Sequence, residues 1–175
     1  MNTKKIIVLY KSKTGFSKKY AHWIAETLNC DIASLDKFDI LDIGSYDLVI
    51  FGGGIYAGKI NGINFIKMNW PLLERKKIIV FATGVTAPIP GEIEIIKKDN
   101  IPPNMDIEFF YFQSGLNYAK MSIAKKLFVK VFKSFLKAKK DKTDIEQGFL
   151  DAIENPYDYS NISQVEPLIS YINGI

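Results

Sequence analysis

Hydrophobic positions along this chain come in unbroken runs separated by stretches with helical spacing. The runs at 6–10 (IIVLY), 46–53 (YDLVIFGG), 77–82 (KIIVFA) and 106–113 (DIEFFYFQ) read as strands. Continuous apolar runs mark strands buried on both faces, the pattern of a parallel sheet with helices on each side. A shorter stretch at 31–35 reads as a second strand at an edge. Between the strands, 16–28 places Ala21, Ile24, Ala25 and Leu28 at helical spacing, and 64–74 and 92–98 continue the helical theme. Residues 100–104, with two prolines, form a connector, and a polar stretch at 141–143 precedes a final helix at 162–173. The order predicts one α/β domain over 1–175, a five-stranded doubly wound parallel sheet of order 2-1-3-4-5, with an extra long helix after strand 5.

Ligands of such a sheet sit beyond the carboxyl ends of the strands, at the switch point between strands 1 and 3. The loops that meet there are 11–17, 54–60, 83–88 and 114–118, all rich in glycine or hydroxyls. The first, Lys11-Ser12-Lys13-Thr14-Gly15-Phe16-Ser17, joins strand 1 to a helix N-terminus. Free backbone amides and the positive end of the helix dipole make that junction an anion site. Three hydroxyls can add donors, and Gly15 lets the backbone close around a phosphate.

The loop lacks the G-x-x-x-x-G-K-[ST] of a P-loop. The glycines at 52–58 follow strand 3 rather than strand 1, which argues against a dinucleotide fingerprint. A phosphoacceptor receiver of this topology needs acids after strand 1 and an aspartate ending strand 3; here stand Lys11-Ser12-Lys13 and Phe51-Gly52-Gly53.

Charge sharpens the picture. The formal net charge is +4, yet 119–140 holds eight lysines and no acid, leaving 15 basic against 19 acidic residues elsewhere. Met121, Ala124, Leu127, Phe128, Val131, Phe132, Phe135 and Leu136 recur at helical spacing among those lysines. This describes either a core-facing helix with a solvated lysine face or a surface for anionic lipid or an acidic substrate. The single cysteine, Cys30, allows no internal disulfide and suits a reducing compartment. The apolar run near the start is too short for a signal-peptide core, so a cytoplasmic protein is expected, with peripheral contact at the inner membrane face as an option.

The run Ser12-Lys13-Thr14-Gly15-Phe16-Ser17 is similar to the [ST]-x-T-G-x-[ST] phosphate loop of the flavodoxin family, whose fold is a three-layer sandwich and whose cofactor is FMN. Gly54-Ile55-Tyr56-Ala57-Gly58, the Gly115-Leu116-x-Tyr118 run and the basic helix resemble the branch that includes menaquinone-dependent protoporphyrinogen oxidase. The resemblance implies an FMN-dependent oxidoreductase, with a simple electron carrier between proteins as the alternative. It implies that residues 12–17 hold the phosphate, and that Tyr56 faces the isoalloxazine while Gly54, Ile55, Ala57 and Gly58 approach its edge. Thr83, Gly84 and Val85 would offer amides to the pyrimidine end, and Gly115, Leu116, Asn117 and Tyr118 would close the site. Expected partners are a redox protein, a quinone or a planar acidic substrate; nucleic acid and metal are not expected. No side chain is nominated as acid or base. His22, Trp23, Trp70 and Cys30 are expected to be structural.

Overall fold

The computed structural model describes residues 4–115, 123–154 and 157–175. Strands β1 (Ile6–Lys11), β2 (Asp31–Ser34), β3 (Leu48–Tyr56), β4 (Lys59–Ile60), β5 (Lys77–Gly84) and β6 (Ile107–Gln113) form one sheet. Its main path runs β2-β1-β3-β5-β6, all parallel, while two-residue β4 pairs antiparallel with the end of β3. The expected order is therefore correct for the five long strands. The sixth is a hairpin that replaces the expected 54–60 loop. β3 runs on through its glycines because Gly54 still pairs with Thr83 of β5.

Alternation along the strands sends side chains to two cores. On one face Ile7, Leu9, Val49, Phe51, Ile78, Val80 and Ala82 pack against α2 (Asn64–Met68), α3 (Trp70–Leu73) and the end of α4 (Pro90–Asn100) through Ile66, Leu73 and Ile101. On the other, Val8, Ile50, Ile79 and Phe81 meet Tyr20, Ala21 and Ile24 of α1 (Phe16–Leu28) and Leu168 of the last helix. Gly52 exists for the second core: a Cβ there would lie 1.9 Å from the Phe81 ring.

The helix expected over 64–74 is two short ones. Asn69 turns its side-chain amide onto the Phe65 carbonyl at 2.8 Å, and Pro71, which has no N–H, opens α3. The basic segment forms α5 (Ile123–Ala138), followed by a helix absent from the sequence reading, α6 (Asp144–Glu154). Its start is a capping box: the Glu146 amide donates to Thr143 Oγ1 at 3.2 Å, and the Thr143 amide to Glu146 Oε2 at 2.9 Å. The T-x-x-E spacing was legible in the sequence and marks this helix. The final segment splits into a 3₁₀ turn, Ile162–Val165, and α7 (Glu166–Asn173).

The expected structural residues behave as such. His22 is half-buried beside Tyr10, and Trp23 and Trp70 pack against opposite cores. Cys30 is half-buried; desolvation, reinforced by Asp31, pushes its thiol up to about 11, which leaves little thiolate at neutral pH.

Candidate functional site

The carboxyl ends of β1, β3 and β5 meet at one place, where β1 lies between β2 and β3 and the chain changes direction across the sheet. Here β1 leaves the sheet and turns at Gly15, whose φ of 99° is a conformation that L side chains rarely adopt. A Cβ on Gly15 would meet no atom within 4 Å, so the turn there is open to solvent. The Gly15 amide donates to Ser12 Oγ at 3.1 Å, which fixes the curve locally. The first turn of α1 carries no side-chain cap bond and no acid, so its amides and dipole face that space.

Ser17 and Thr83, both nearly fully buried, share a 2.8 Å hydroxyl–hydroxyl bond between α1 and β5. Two hydroxyls carry two protons and this bond uses one, leaving a second donor to aim at a ligand. Tyr56 comes back over the loop from the end of β3, and the Lys13 ammonium lies 4.8 Å from its ring centroid. Burial raises the Tyr56 phenol, with the Thr14 hydroxyl opposing. Gly54 lies beneath the ring, where a Cβ would stand 3.2 Å from Tyr56 Cε2 and 3.5 Å from Ser17 Oγ. The structure thus gathers Ser12, Lys13, Thr14, Gly15, Ser17, Gly54, Tyr56 and Thr83. Phe16 is buried as the first core residue of α1.

The other expected residues stand in the hairpin and in the loops after β5 and β6. Ile55 pairs with Ile60, and Ala57-Gly58, with φ of 48° and 75°, is the two-residue turn of the β3–β4 hairpin. That turn is tied to α4 by Asn100, whose side chain accepts from the Ile60 amide at 2.9 Å and donates to the Gly58 and Ile96 carbonyls at 2.8 Å each. Gly84 ends β5, and its carbonyl accepts from the Ser114 amide at 2.7 Å. Its missing side chain admits Tyr111, whose hydroxyl would be 2.4 Å from a Cβ. The Val85 carbonyl accepts from Gln113 Nε2 at 3.4 Å and from the Tyr157 hydroxyl at 3.5 Å. Gly115 pairs with Asp158, and a Cβ there would lie 1.9 Å from the Tyr157 carbonyl oxygen. Leu116, Asn117 and Tyr118 lie outside the described residues.

The segment at 157–161 is the part that sequence reasoning missed. Lys19 of α1 holds it, bonding Asp158 at 3.0 Å and Ser160 Oγ at 2.7 Å. It presents Tyr157 and Tyr159, ring centroids 3.9 Å apart, beside the loop after β5, which has no aromatic of its own. Its turn chemistry (Asp158, Ser160, Asn161) was visible, but not its destination. Desolvation works to raise the Asp158 carboxyl, yet the Ser160 and Lys19 bonds outweigh it and hold the group below the usual aspartate range. A depressed folded value stabilises above the unfolded value and is lost as pH falls through the folded one. Acidification below the ordinary aspartate range should therefore release 157–161 before the sheet unfolds, read as rising Tyr157 and Tyr159 mobility by NMR; Asp158→Asn should abolish that pH dependence.

Near the same loop, the Tyr111 hydroxyl donates to the Thr86 carbonyl at 2.8 Å, and burial raises its phenol despite that contact. Glu92 Oε2 is buried with no hydrogen-bond partner among the described residues, and desolvation, then Asp144, raises its carboxyl. Among the described residues no acid–histidine–cysteine cluster could hold a metal ion. Nor is any of the described helices long and apolar enough to cross a membrane.

A family model described as a flavodoxin domain matches residues 7–144. The chain belongs to the flavodoxin domain family. The matched span of this flavodoxin domain takes in the 12–17 loop and ends at the start of α6. An uncharacterized protein of Methanocaldococcus jannaschii is 39% identical over 81 residues, covering 46% of this chain and 54% of that protein. The match thus spans about half the length of that curated relative. Among solved structures, a candidate flavoprotein from Bacteroides eggerthii is 18% identical with a TM-score of 0.50, covering 78% of this chain and all of that one. A flavoprotein in complex with FMN from Lactobacillus acidophilus is 15% identical with a TM-score of 0.45, covering 63% of this chain and 93% of that one. At these identities the likeness to solved structures concerns the fold alone.

Proposed function

We propose that this flavodoxin domain binds FMN and works as an FMN-dependent oxidoreductase in a reducing cytoplasm. The observation that carries the FMN reading is the Gly15 turn: a positive-φ glycine, open space where its side chain would be, and a helix start with no side-chain cap, together after β1. A phosphate dianion suits that donor set, which is amides, hydroxyls and one lysine with no acid in the turn. The spare proton of the Ser17–Thr83 pair is a further donor at the base of the cradle. Tyr56 stands above the loop and can swing its face to a ring system, and the hairpin that carries it is anchored by Asn100. When bound, the flavin supplies the electron-transfer chemistry; the chain supplies position and electrostatics.

Which substrate it serves is a finer matter. The resemblance to the menaquinone-dependent protoporphyrinogen oxidase branch, and the lysine-only segment at 119–140, favour a planar substrate carrying carboxylates, with a quinone as acceptor. The carrier reading is favoured by one observation: Ser12, Thr14, Ser17, Thr83 and Tyr56 at the cradle include no carboxylate or imidazole to act as a proton donor near neutral pH. The test is to purify the chain with bound yellow cofactor, add protoporphyrinogen and a quinone, and follow porphyrin fluorescence. Porphyrin formation above the uncatalysed rate supports the enzyme. Absence of substrate-dependent flavin bleaching, with bleaching by a reduced redox protein intact, establishes the carrier. A chain that retains no flavin under any of these conditions removes both readings.

A further inference from the structure

Among its described residues, helix α5 shows one buried apolar face and one exposed apolar face. Val129 and Leu136 are buried at 6% and 0% exposure, and α5 packs against α6. Leu127, Val131 and Phe135 are 63–65% exposed and stand four residues apart, so they form one stripe along the helix. At 1.5 Å per residue the stripe is about 12 Å long. Single exposed leucines are ordinary; three large side chains in a row mark an interaction surface. Lys130 is exposed on the turn between Leu127 and Val131, and Lys137, seven residues on and on the same side of the helix as Lys130, is exposed beyond Phe135.

The chemistry of the border decides what covers the stripe. Over 119–140 every charged residue is lysine, with no arginine, acid, tyrosine or tryptophan. Protein interfaces are enriched in Arg, Tyr and Trp and depleted in Lys. A one-signed lysine border beside a narrow apolar stripe is instead the pattern of a helix lying in the plane of an anionic bilayer. Long lysine stems let the ammonium groups reach lipid phosphates while the apolar stripe enters the acyl boundary.

We infer that α5 is a peripheral docking helix for an anionic lipid surface, its Leu127-Val131-Phe135 stripe inserted and its lysines on the headgroups. The position of α6 gives this docking a direction. Gly148 of α6 sits against Thr86, where a Cβ would come within 3.0 Å of Thr86 Cγ2, so the α5–α6 hairpin rests on the loop that follows β5. Docking through α5 therefore ties the bilayer to the carboxyl-end side of the sheet. The inference stands on α5 and does not depend on the flavin.

The test is co-sedimentation of the full chain with vesicles of phosphatidylcholine alone and of phosphatidylcholine mixed with phosphatidylglycerol, at low and high salt. Binding is expected to the mixed vesicles only and to weaken with salt. Val131→Ser with Phe135→Ser should reduce it roughly tenfold through lost burial. Lys130→Glu with Lys137→Glu should reduce it by a similar or larger factor. Binding to neither vesicle, equal binding to both, salt-insensitive binding by the unaltered chain, or variants that bind as the unaltered chain does would each overturn the proposal. So would a concentration-dependent dimer that Phe135→Ser dissolves while vesicle binding is absent, because a second copy would then cover the stripe. Circular dichroism confirms that the variants fold; should one unfold, the salt dependence and lipid preference of the unaltered chain decide.

Discussion

Replacing Gly15 by valine is expected to lower FMN affinity by about a hundredfold or more. The substitution meets no steric wall, since the Cβ position faces open space. The obstacle is the backbone: a φ of 99° costs an L residue about 1–2 kcal/mol, and β-branching makes it worse. The loop relieves that strain by turning its peptide planes, which takes amides off the phosphate. Hydrogen bonds to a charged group are worth about 1.5–3 kcal/mol each, so misdirecting two of them corresponds to at least a hundredfold in affinity. The new side chain also fills the space that the phosphate would enter. Quenching of flavin fluorescence on titration measures the change. Gly44→Ala is the control, because Gly44 has ordinary φ and nothing near its Cβ position. An affinity for Gly15→Val within threefold of the unaltered chain would put the phosphate somewhere else.

Asn100→Ala should destabilise the protein by about 2–4 kcal/mol, the cost of stranding buried backbone groups. Asn100 is 1% exposed and its side chain makes three hydrogen bonds. Removing it leaves the Ile60 amide without its acceptor and deprives the Gly58 and Ile96 carbonyls of a donor. Urea denaturation should show a lower midpoint at unchanged slope, the mark of lost native interactions rather than altered compactness. FMN affinity should fall as well, because the freed hairpin carries Tyr56. A loss of less than about 1 kcal/mol would mean that water replaces the side chain and that the hairpin is not anchored through it.

What could be read from the sequence follows from how local each determinant is. The four long apolar strands, the 12–17 loop and the basic helix are written in runs of adjacent residues, so period and composition expose them. The hairpin was missed because Ala57 at positive φ does not look like a turn residue. Asn100 reads as part of a connector because a buried asparagine differs from an exposed one only through its partners, here 40 and 42 residues away. Gly115 admits the Tyr157 carbonyl, a neighbour no spacing rule reveals. Helix α6 is legible through the local pair Thr143 and Glu146.

The chain's own order of residues determined the parallel sheet, the flavodoxin-type phosphate loop and the uneven charge, because each depends on neighbours within a few positions. Only the tertiary structure decided that Ser17 meets Thr83, that Tyr56 folds back on Lys13, and that 157–161 docks beside the loop after β5. It also decided which apolar face of α5 is covered and which is left to solvent. Those outcomes join segments far apart in sequence, and the contacts that select them form only when the sheet brings their ends together.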